Sequence, residues 1–232
     1  AAHLHHLGFS IASETQALLA IISASGELAT LAKERVWQET QKALSSQSPW
    51  IYFEVLEVCG ALHRLMPALT ELLARRPQAL NTLRLTSAAS TRTEVRFTGV
   101  LYQLNKPQIE DLAKQIKLPN QHKALALATS NHQRQLRAYT ELEAAQKHLL
   151  LSNLGLMRHT ELLDDLLCLC QAITQTQEPL FGWQSPKQTM LDDLERIHAV
   201  KPASLMAQGF KGKALGEALK AAQIACLSRS KT

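Results

Sequence analysis

The sequence has few of the residues that favour β-strands. Aromatic side chains make up only 5% of its 232 residues, and β-branched side chains are also scarce. Strands use such side chains to pack on a pleated surface, whereas Leu, Ala, Gln, Glu and Lys, which together are abundant here, are strong helix formers. Hydrophobic residues reach 46%, which is enough for a globular core. The composition therefore predicts an all-α fold.

Several motifs of known chemistry are also missing. No apolar run reaches the roughly 18 residues of a membrane-spanning helix, so we expect no membrane partner and a cytoplasmic protein. There is no Gly-rich phosphate loop, no GxSxG elbow and no HExxH pair. The four cysteines form no CxxC motif, and we expect them to be reduced and buried. We therefore predict neither catalytic nor metal-binding residues within this chain.

Two sets of residues have side chains that could bind a metal. His3, His5 and His6 lie close together, and acidic pairs occur at residues 164–165 and 192–193. No supporting carboxylate accompanies the histidines. Neighbouring residues on a helix point about 100° apart, so an acidic pair does not converge on one ion. We interpret the histidines as part of a helix end and the aspartates as solvated helix faces.

The segment Gly26–Leu44 predicts an amphipathic helix with a charged side. Its apolar residues share the other side: Val36, Trp37, Ala43 and Leu44. Glu34, Arg35 and Glu39 are its candidate site residues. Arg35 and Glu39 are four positions apart and could form an ion pair on the helix surface.

A second candidate lies near the end of the sequence. Three glycines alternate with three lysines there: Gly209, Gly212, Gly216, Lys211, Lys213 and Lys220. A Gly-rich turn that opens a helix leaves backbone N–H groups free at the helix N-terminus, where the dipole favours an anion. The lysines are candidates for binding RNA phosphates, in keeping with the net charge of +5. A plain turn before a solvated helix explains the same pattern, and both interpretations stay open.

Blocks of the sequence are similar to a known family. Three are HLGFSIASETQALL, GELATLAKERVWQETQKAL and FEVLEVCGALHRLMPAL. The matching residues are Glu34, Arg35, Val36 and Glu39, then Cys59 to Leu62 with Pro67, and finally Gly209, Phe210, Gly212, Leu215, Gly216, Glu217 and Leu219. Their order and spacing resemble the bacterial CCA-adding enzymes, which are tRNA nucleotidyltransferases, and the related poly(A) polymerases.

The resemblance implies an elongated assembly of short helices in three consecutive modules. These are a neck-like domain at residues 1–76, a body domain at residues 77–145 and a tail domain at residues 146–232. The family's catalytic head, with its Gly-Gly turn and Asp-x-Asp metal pair, would precede Ala1. The head would then be a partner of this chain and would use Mg²⁺ with ATP and CTP. The resemblance implies no cofactor in this chain itself.

Some relatives carry a metal-dependent HD phosphohydrolase in the body. The resemblance aligns the first His of that site with Asn81 and its His-Asp pair with Tyr102 and Gln103. A phenol and a carboxamide do not replace an imidazole–carboxylate metal site. The resemblance therefore implies a degenerate body domain.

The leading hypothesis is that the chain is the tRNA-binding C-terminal portion of a CCA-adding enzyme. The missing head would add CMP and AMP to the tRNA 3′ end, and this chain alone would be catalytically inactive. By resemblance, the helix with Glu34, Arg35 and Glu39 would support the head and approach the tRNA acceptor end. Body and tail would bind tRNA by its backbone and shape. The alternatives are a poly(A) polymerase of the same family, a non-enzymatic protein-binding scaffold and a surviving hydrolase. The sequence leaves the oligomeric state open.

Overall fold

The structure is mainly helical, as the helix-forming composition predicts. The computed structural model describes Gly8, residues 10–180 and residues 182–228, and these residues form fourteen α-helices and three short 3₁₀ helices without a β-strand. The predicted all-α fold is confirmed. The α-helices are α1 (Ser13–Ala24), α2 (Lys33–Leu44), α3 (Trp50–Val58), α4 (Ala61–Leu65), α5 (Pro67–Arg75), α6 (Asn81–Ala89), α7 (Thr93–Leu101), α8 (Lys106–Ile116), α9 (Asn120–Arg137), α10 (Ala144–Asn153), α11 (Leu162–Gln177), α12 (Lys187–Ala199), α13 (Pro202–Ala207) and α14 (Gly212–Ser228). The 3₁₀ helices are Glu27–Thr30, Pro77–Leu80 and Tyr139–Glu141.

None of the helices in the described part of the chain combines the length and apolar character needed to span a bilayer. The four cysteines are reduced; Cys59 and Cys170 are buried, whereas Cys168 and Cys226 are half-buried, so the prediction of burial is correct for two of them. The histidines at positions 3, 5 and 6 lie outside the described residues.

The chain divides into two compact units. The N-terminal unit comprises Ala1–Asn131 and Gln171–Phe181, and the C-terminal unit comprises His132–Cys170 and Gly182–Thr232, each considered for its described residues. The division into a neck, a body and a tail stays a prediction.

The N-terminal unit has a continuous hydrophobic core to which α2 contributes one face. The buried residues of α2 are Val36, Trp37, Thr40, Ala43 and Leu44. Their spacing keeps them on one side of a helix of about 3.6 residues per turn. Leu44 belongs to the same core as the completely buried side chains of Phe53 and Leu62. The predicted apolar side of α2 is confirmed, but the predicted extent of the helix, Gly26–Leu44, is wrong: Glu27–Thr30 forms a separate 3₁₀ helix, and α2 begins only at Lys33.

Aromatic rings connect four helices inside this core. The ring centroids of Trp37 on α2 and Phe97 on α7 are 6.2 Å apart, and Phe53 on α3 stacks against Phe97 at 5.8 Å. The imidazole of His122 on α9 meets the Trp37 ring edge-on at 4.7 Å. Offset and edge-to-face arrangements are those that the ring quadrupoles favour. The cluster therefore fixes α2 against α3, α7 and α9.

Helices α6 and α7 approach each other closely at Gly99. A Cβ atom at this position would lie 2.7 Å from Thr86 Oγ1 and 3.2 Å from the Thr82 carbonyl oxygen. Thr82 and Thr86 are both completely buried. Because contacts this short exclude a side chain, the helix pair requires glycine at position 99.

The C-terminal unit contains a completely buried carboxylate. Asp193 Oδ2 accepts hydrogen bonds from the Tyr139 hydroxyl at 3.0 Å and from Lys147 Nζ at 3.2 Å, and Arg196 donates to Oδ1 at 3.2 Å. A carboxylate is tolerated inside a protein when it is paired and hydrogen-bonded in this way. Burial, together with the neighbouring carboxylate, raises the pKa of Tyr139, so its hydroxyl keeps the proton that it donates.

The prediction that the acidic pairs form solvated faces is wrong for two of the four residues. Asp193 and Asp165 are buried, whereas Asp164 is exposed and Asp192 is half-buried. Because adjacent helix positions diverge by about 100°, one member of each pair points inward while the other points outward.

Helices α13 and α14 are much less buried than the helices of the N-terminal core. Helix α13 has no buried residue, and α14 has only Leu227. Helix α14 contacts α10, α12 and α13, and His148 on α10 hydrogen-bonds to Gln223 at 3.0 Å. These two helices therefore form part of the surface of the C-terminal unit.

Candidate functional site

The charged side of α2 is exposed to solvent. Glu34 and Arg35 lie in its first turn, and Glu39 lies one turn further along. Glu39 accepts a hydrogen bond of 2.8 Å from Lys42 Nζ, and both side chains are more than half exposed. Exposed pairs of this kind contribute little to stability. The pairing of Arg35 with Glu39 and the approach to an acceptor end stay predictions.

A buried arginine that the sequence analysis did not identify anchors the other end of α2. Arg96 Nη1 donates to the carbonyl oxygens of Leu44 at 2.7 Å and Ser46 at 2.9 Å. Its Nε and Nη2 donate to the carbonyls of Ser90 and Ser87 at 2.6 and 3.1 Å. The C-terminal carbonyls of a helix lack partners within the helix and carry negative partial charge, so a cation stabilises them. Burial lowers the pKa of Arg96, and the hydrogen bonds to four carbonyl oxygens replace those that the buried guanidinium would make to water.

The positive charge of the chain is concentrated at its C-terminal end. Residues 196–232, here called the basic tail, carry seven Lys and Arg residues and one carboxylate, Glu217. The cations are Arg196, Lys201, Lys211, Lys213, Lys220, Arg229 and Lys231. The preceding 195 residues carry 18 Lys and Arg residues and 19 Asp and Glu residues, so the net charge of +5 arises in the basic tail. Clustered cations of this kind are the electrostatic signature of a surface that binds polyanions.

The candidate lysines of the basic tail are accessible. Lys211, Lys213 and Lys220 are exposed, as is Lys201, which the sequence analysis did not single out. Lys213 and Lys220 are seven positions apart on α14, about two turns, and so share one face. Lys213 Nζ lies 3.7 Å from Glu217, both highly exposed, whereas the other three lysines make no ion pair within the described residues. The structure therefore places all three predicted side chains on the surface, with Lys213 and Lys220 on one face of α14 and Lys211 just before that helix.

Two glycines form the turn that leads into α14. Gly209 has φ 92° and Gly212 has φ 53°, in the left-handed region that favours glycine. The Gly209 N–H donates to the Met206 carbonyl at 3.0 Å, and the Phe210 N–H donates to the Leu205 carbonyl at 3.2 Å. This pair of bonds is the Schellman arrangement that ends a helix. The glycines predicted from the sequence thus close α13 and open α14.

A cavity of ≈ 320 Å³ in the N-terminal unit includes two of the residues that the resemblance aligned with an HD site. Its lining consists of Arg76, Pro77, Gln78, Ala79, Tyr102, Gln103, Thr176 and Gln177. Gln103 Nε2 donates to the Ala79 carbonyl at 3.1 Å, and the Tyr102 hydroxyl lies 3.4 Å from Thr82 Oγ1. The cavity therefore presents amides, hydroxyls and a guanidinium. Over the residues that the structure describes, no group of three or more His, Cys, Asp or Glu side chains is placed to hold a metal ion.

Comparisons with known proteins relate both ends of the chain to one family. A family model described as "Probable RNA and SrmB- binding site of polymerase A" matches residues 8–73. The Multifunctional CCA protein of Teredinibacter turnerae is 34% identical over an alignment that covers 100% of this chain and 64% of the relative. The proteins of the same name from Aliivibrio salmonicida and Vibrio cholerae strain M66-2 are 32% and 30% identical, with 94% and 98% of this chain and 62% and 64% of each relative aligned. No solved structure matches the chain.

The chain spans less than two thirds of the length of these relatives. The similarity covers both the α2 segment and the basic tail, because the alignments extend over 94% to 100% of the chain. The resemblance identified from the α2 segment and the glycine–lysine segment is confirmed. The chain belongs to the family of the Multifunctional CCA proteins.

Proposed function

We propose that the chain is the tRNA-binding portion of a CCA-adding tRNA nucleotidyltransferase. The names of its relatives and the RNA-binding description of the matched family model support this proposal. The observation that carries it is the composition of the basic tail, which has seven Lys and Arg residues and one carboxylate. A folded tRNA presents a dense array of phosphates, and exposed lysines bind such an array without reading its sequence.

In this proposal, the nucleotide-adding reaction is carried out by residues outside this chain. The part of the relatives that the chain does not span would add CMP and AMP to the tRNA 3′ end from CTP and ATP with Mg²⁺. The chain would act as neck (1–76), body (77–145) and tail (146–232), and would hold the tRNA in the cytoplasm. The described residues provide no cluster of metal ligands, so no step of the proposal uses a metal bound to them.

Within this arrangement, the lysines and α2 have different roles. Lys211, Lys213 and Lys220 would bind phosphates, since all three are exposed on the basic tail. On α2, Glu34, Arg35 and Glu39 would support the catalytic head, with Arg35 as the residue of this helix that is suited to a phosphate. Arg96 would hold the end of α2 in place through the carbonyls of Leu44 and Ser46.

The test is the affinity of the chain for tRNA as a function of salt. Each lost lysine–phosphate contact reduces the slope of log K against log salt by about one. We expect the variant with Lys211→Gln, Lys213→Gln and Lys220→Gln to lose about two to three units of slope and on the order of 100-fold in affinity near 0.1 M salt.

A matched control removes the same charge elsewhere. Lys106, Lys114 and Lys117 are exposed residues in and after α8, in the N-terminal unit. Their triple Gln variant should keep the slope of the wild type. If wild-type chain binds tRNA without salt dependence, or both triple variants lose affinity equally, the proposal is wrong. A protein-binding scaffold would give the first of these results.

A further inference from the structure

The basic tail exposes two large apolar side chains among its lysines. Met206 at the end of α13 is 57% exposed, and Phe210 in the following turn is 38% exposed. Both belong to the C-terminal unit and lie within the segment that carries most of the excess positive charge. A single exposed apolar residue is common on protein surfaces. An aromatic ring near cations, however, can stack on a nucleic-acid base while the cations bind phosphates.

The turn at the end of α13 sets the position of the Phe210 ring. The Schellman arrangement places Phe210 three residues beyond Ala207, the last residue of α13. An apolar side chain at this position usually packs back on the residue that accepts its N–H, here Leu205. Leu205 is half-buried, and Phe210 keeps more than a third of its surface accessible. The left-handed glycines on either side, Gly209 and Gly212, fix the course of the backbone through the turn.

Cations lie on both sides of Phe210 in the sequence. Lys211 follows it directly, and Lys213 lies in the first turn of α14. Lys201 precedes α13. Neither Lys201 nor Lys211 forms an ion pair within the part of the chain that the structure describes. Their charge is therefore available to an external anion.

We propose that Phe210 stacks on an unpaired base of the bound RNA while the neighbouring lysines bind the adjoining phosphates. This inference rests on the proposed function and specifies the class of RNA, namely a folded RNA that presents an unstacked loop base. The bases of an A-form duplex are stacked on one another and are inaccessible to an aromatic side chain, whereas loop bases are accessible. A ring also tolerates any base, because every base has a π-face.

The experiment compares two RNAs of equal length and charge with the full chain. One is a hairpin with an unpaired loop, and the other is a blunt duplex. Phe210→Leu keeps an apolar side chain at this position but removes the ring, and Phe210→Tyr keeps the ring. We expect Phe210→Leu to weaken hairpin binding on the order of tenfold and leave duplex binding unchanged, with Phe210→Tyr close to the wild type.

The salt dependence separates stacking from charge. Phe210→Leu should leave the slope of log K against log salt unchanged, because it removes no cation, and an unchanged thermal unfolding curve should show that the turn is intact. Equal loss on both RNAs, or no loss on either, would overturn the inference while leaving the proposed function in place. If Phe210→Leu instead loses binding to vesicles of anionic lipid and keeps its binding to the hairpin, the ring binds a membrane, and the inference is overturned as well. Failure of the wild type to bind RNA in a salt-dependent way would instead refute the proposed function.

Discussion

Residues 8–73 and the basic tail contribute opposite properties to the chain. The first segment carries four Lys and Arg residues and seven Asp and Glu residues, whereas the basic tail carries seven cations and one carboxylate. The first segment also supplies completely buried side chains such as Phe53 and Leu62, whereas α13 and α14 together bury only Leu227. The family model with an RNA-binding description matches the segment that is acidic. We infer that residues 8–73 serve mainly as a packed framework and that electrostatic attraction to RNA comes from the basic tail.

The largest expected effect is the loss of a core ring in the framework. Phe53→Ala should lower the free energy of unfolding by about 4 kcal/mol, because it leaves a cavity between Phe97 and the surrounding side chains. Leu215→Ala on α14 should cost under about 1.5 kcal/mol, since Leu215 is only half-buried. Denaturant titration of both variants measures the difference. Equal costs would show that the tail is packed as firmly as the framework.

The next effect concerns the buried carboxylate of the C-terminal unit. Asp193→Asn should lower the free energy of unfolding by about 3 kcal/mol, because Lys147 is left buried without a carboxylate. Adding Lys147→Met should recover part of the loss, since it removes the unpaired charge. If Asp193→Asn is as stable as the wild type, the Asp193–Lys147 pair does not stabilise this unit.

A smaller effect is a dependence of stability on pH at the framework core. His122 is buried against Trp37, and its Nε2 lies 3.1 Å from Thr93 Oγ1. Its Nδ1 has no hydrogen-bond partner among the described residues. Burial lowers the pKa of His122; nearby Glu94 acts in the opposite direction and Arg92 in the same direction. The unfolded chain therefore takes up the proton first as the pH falls through the ordinary value of 6.5, and stability is lost below that pH.

Replacing the histidine tests this pH dependence. His122→Gln should flatten the stability profile between neutral and mildly acidic pH, and His63→Gln, at an exposed position, should not. Identical profiles for the wild type and His122→Gln would contradict the assignment of this titration to His122.

The sequence was sufficient for features that depend on local spacing. The all-α fold follows from composition, and the inward side of α2 follows from the periodicity of Val36, Trp37, Ala43 and Leu44. The exposure of Lys211, Lys213 and Lys220 agrees with the turn and solvated helix that the glycine–lysine pattern predicts. Counting charge along the chain would also have identified Lys201 and the basic tail as a whole.

Features that depend on distant partners could not be read from the sequence. Arg96 bonds to a carbonyl 52 positions away, and Asp193 bonds to a hydroxyl 54 positions away. The apolar neighbours Val95 and Phe97 could have indicated that Arg96 is buried. The residues around it in the sequence do not show which carbonyl oxygens accept its hydrogen bonds. The same limit applies to Asp193, whose neighbour Asp192 has the same chemistry and a different environment.

The most direct measurement compares the salt dependence of tRNA binding when each of the two regions loses its cations. One variant replaces Lys211, Lys213 and Lys220 with Gln, and the other replaces Lys33, Arg35 and Lys42 in α2. We expect the tail variant to lose about two to three units of slope and the α2 variant to lose at most about one, from Arg35. An α2 variant that loses as much slope as the tail variant would contradict the claim that the basic tail provides the attraction to RNA.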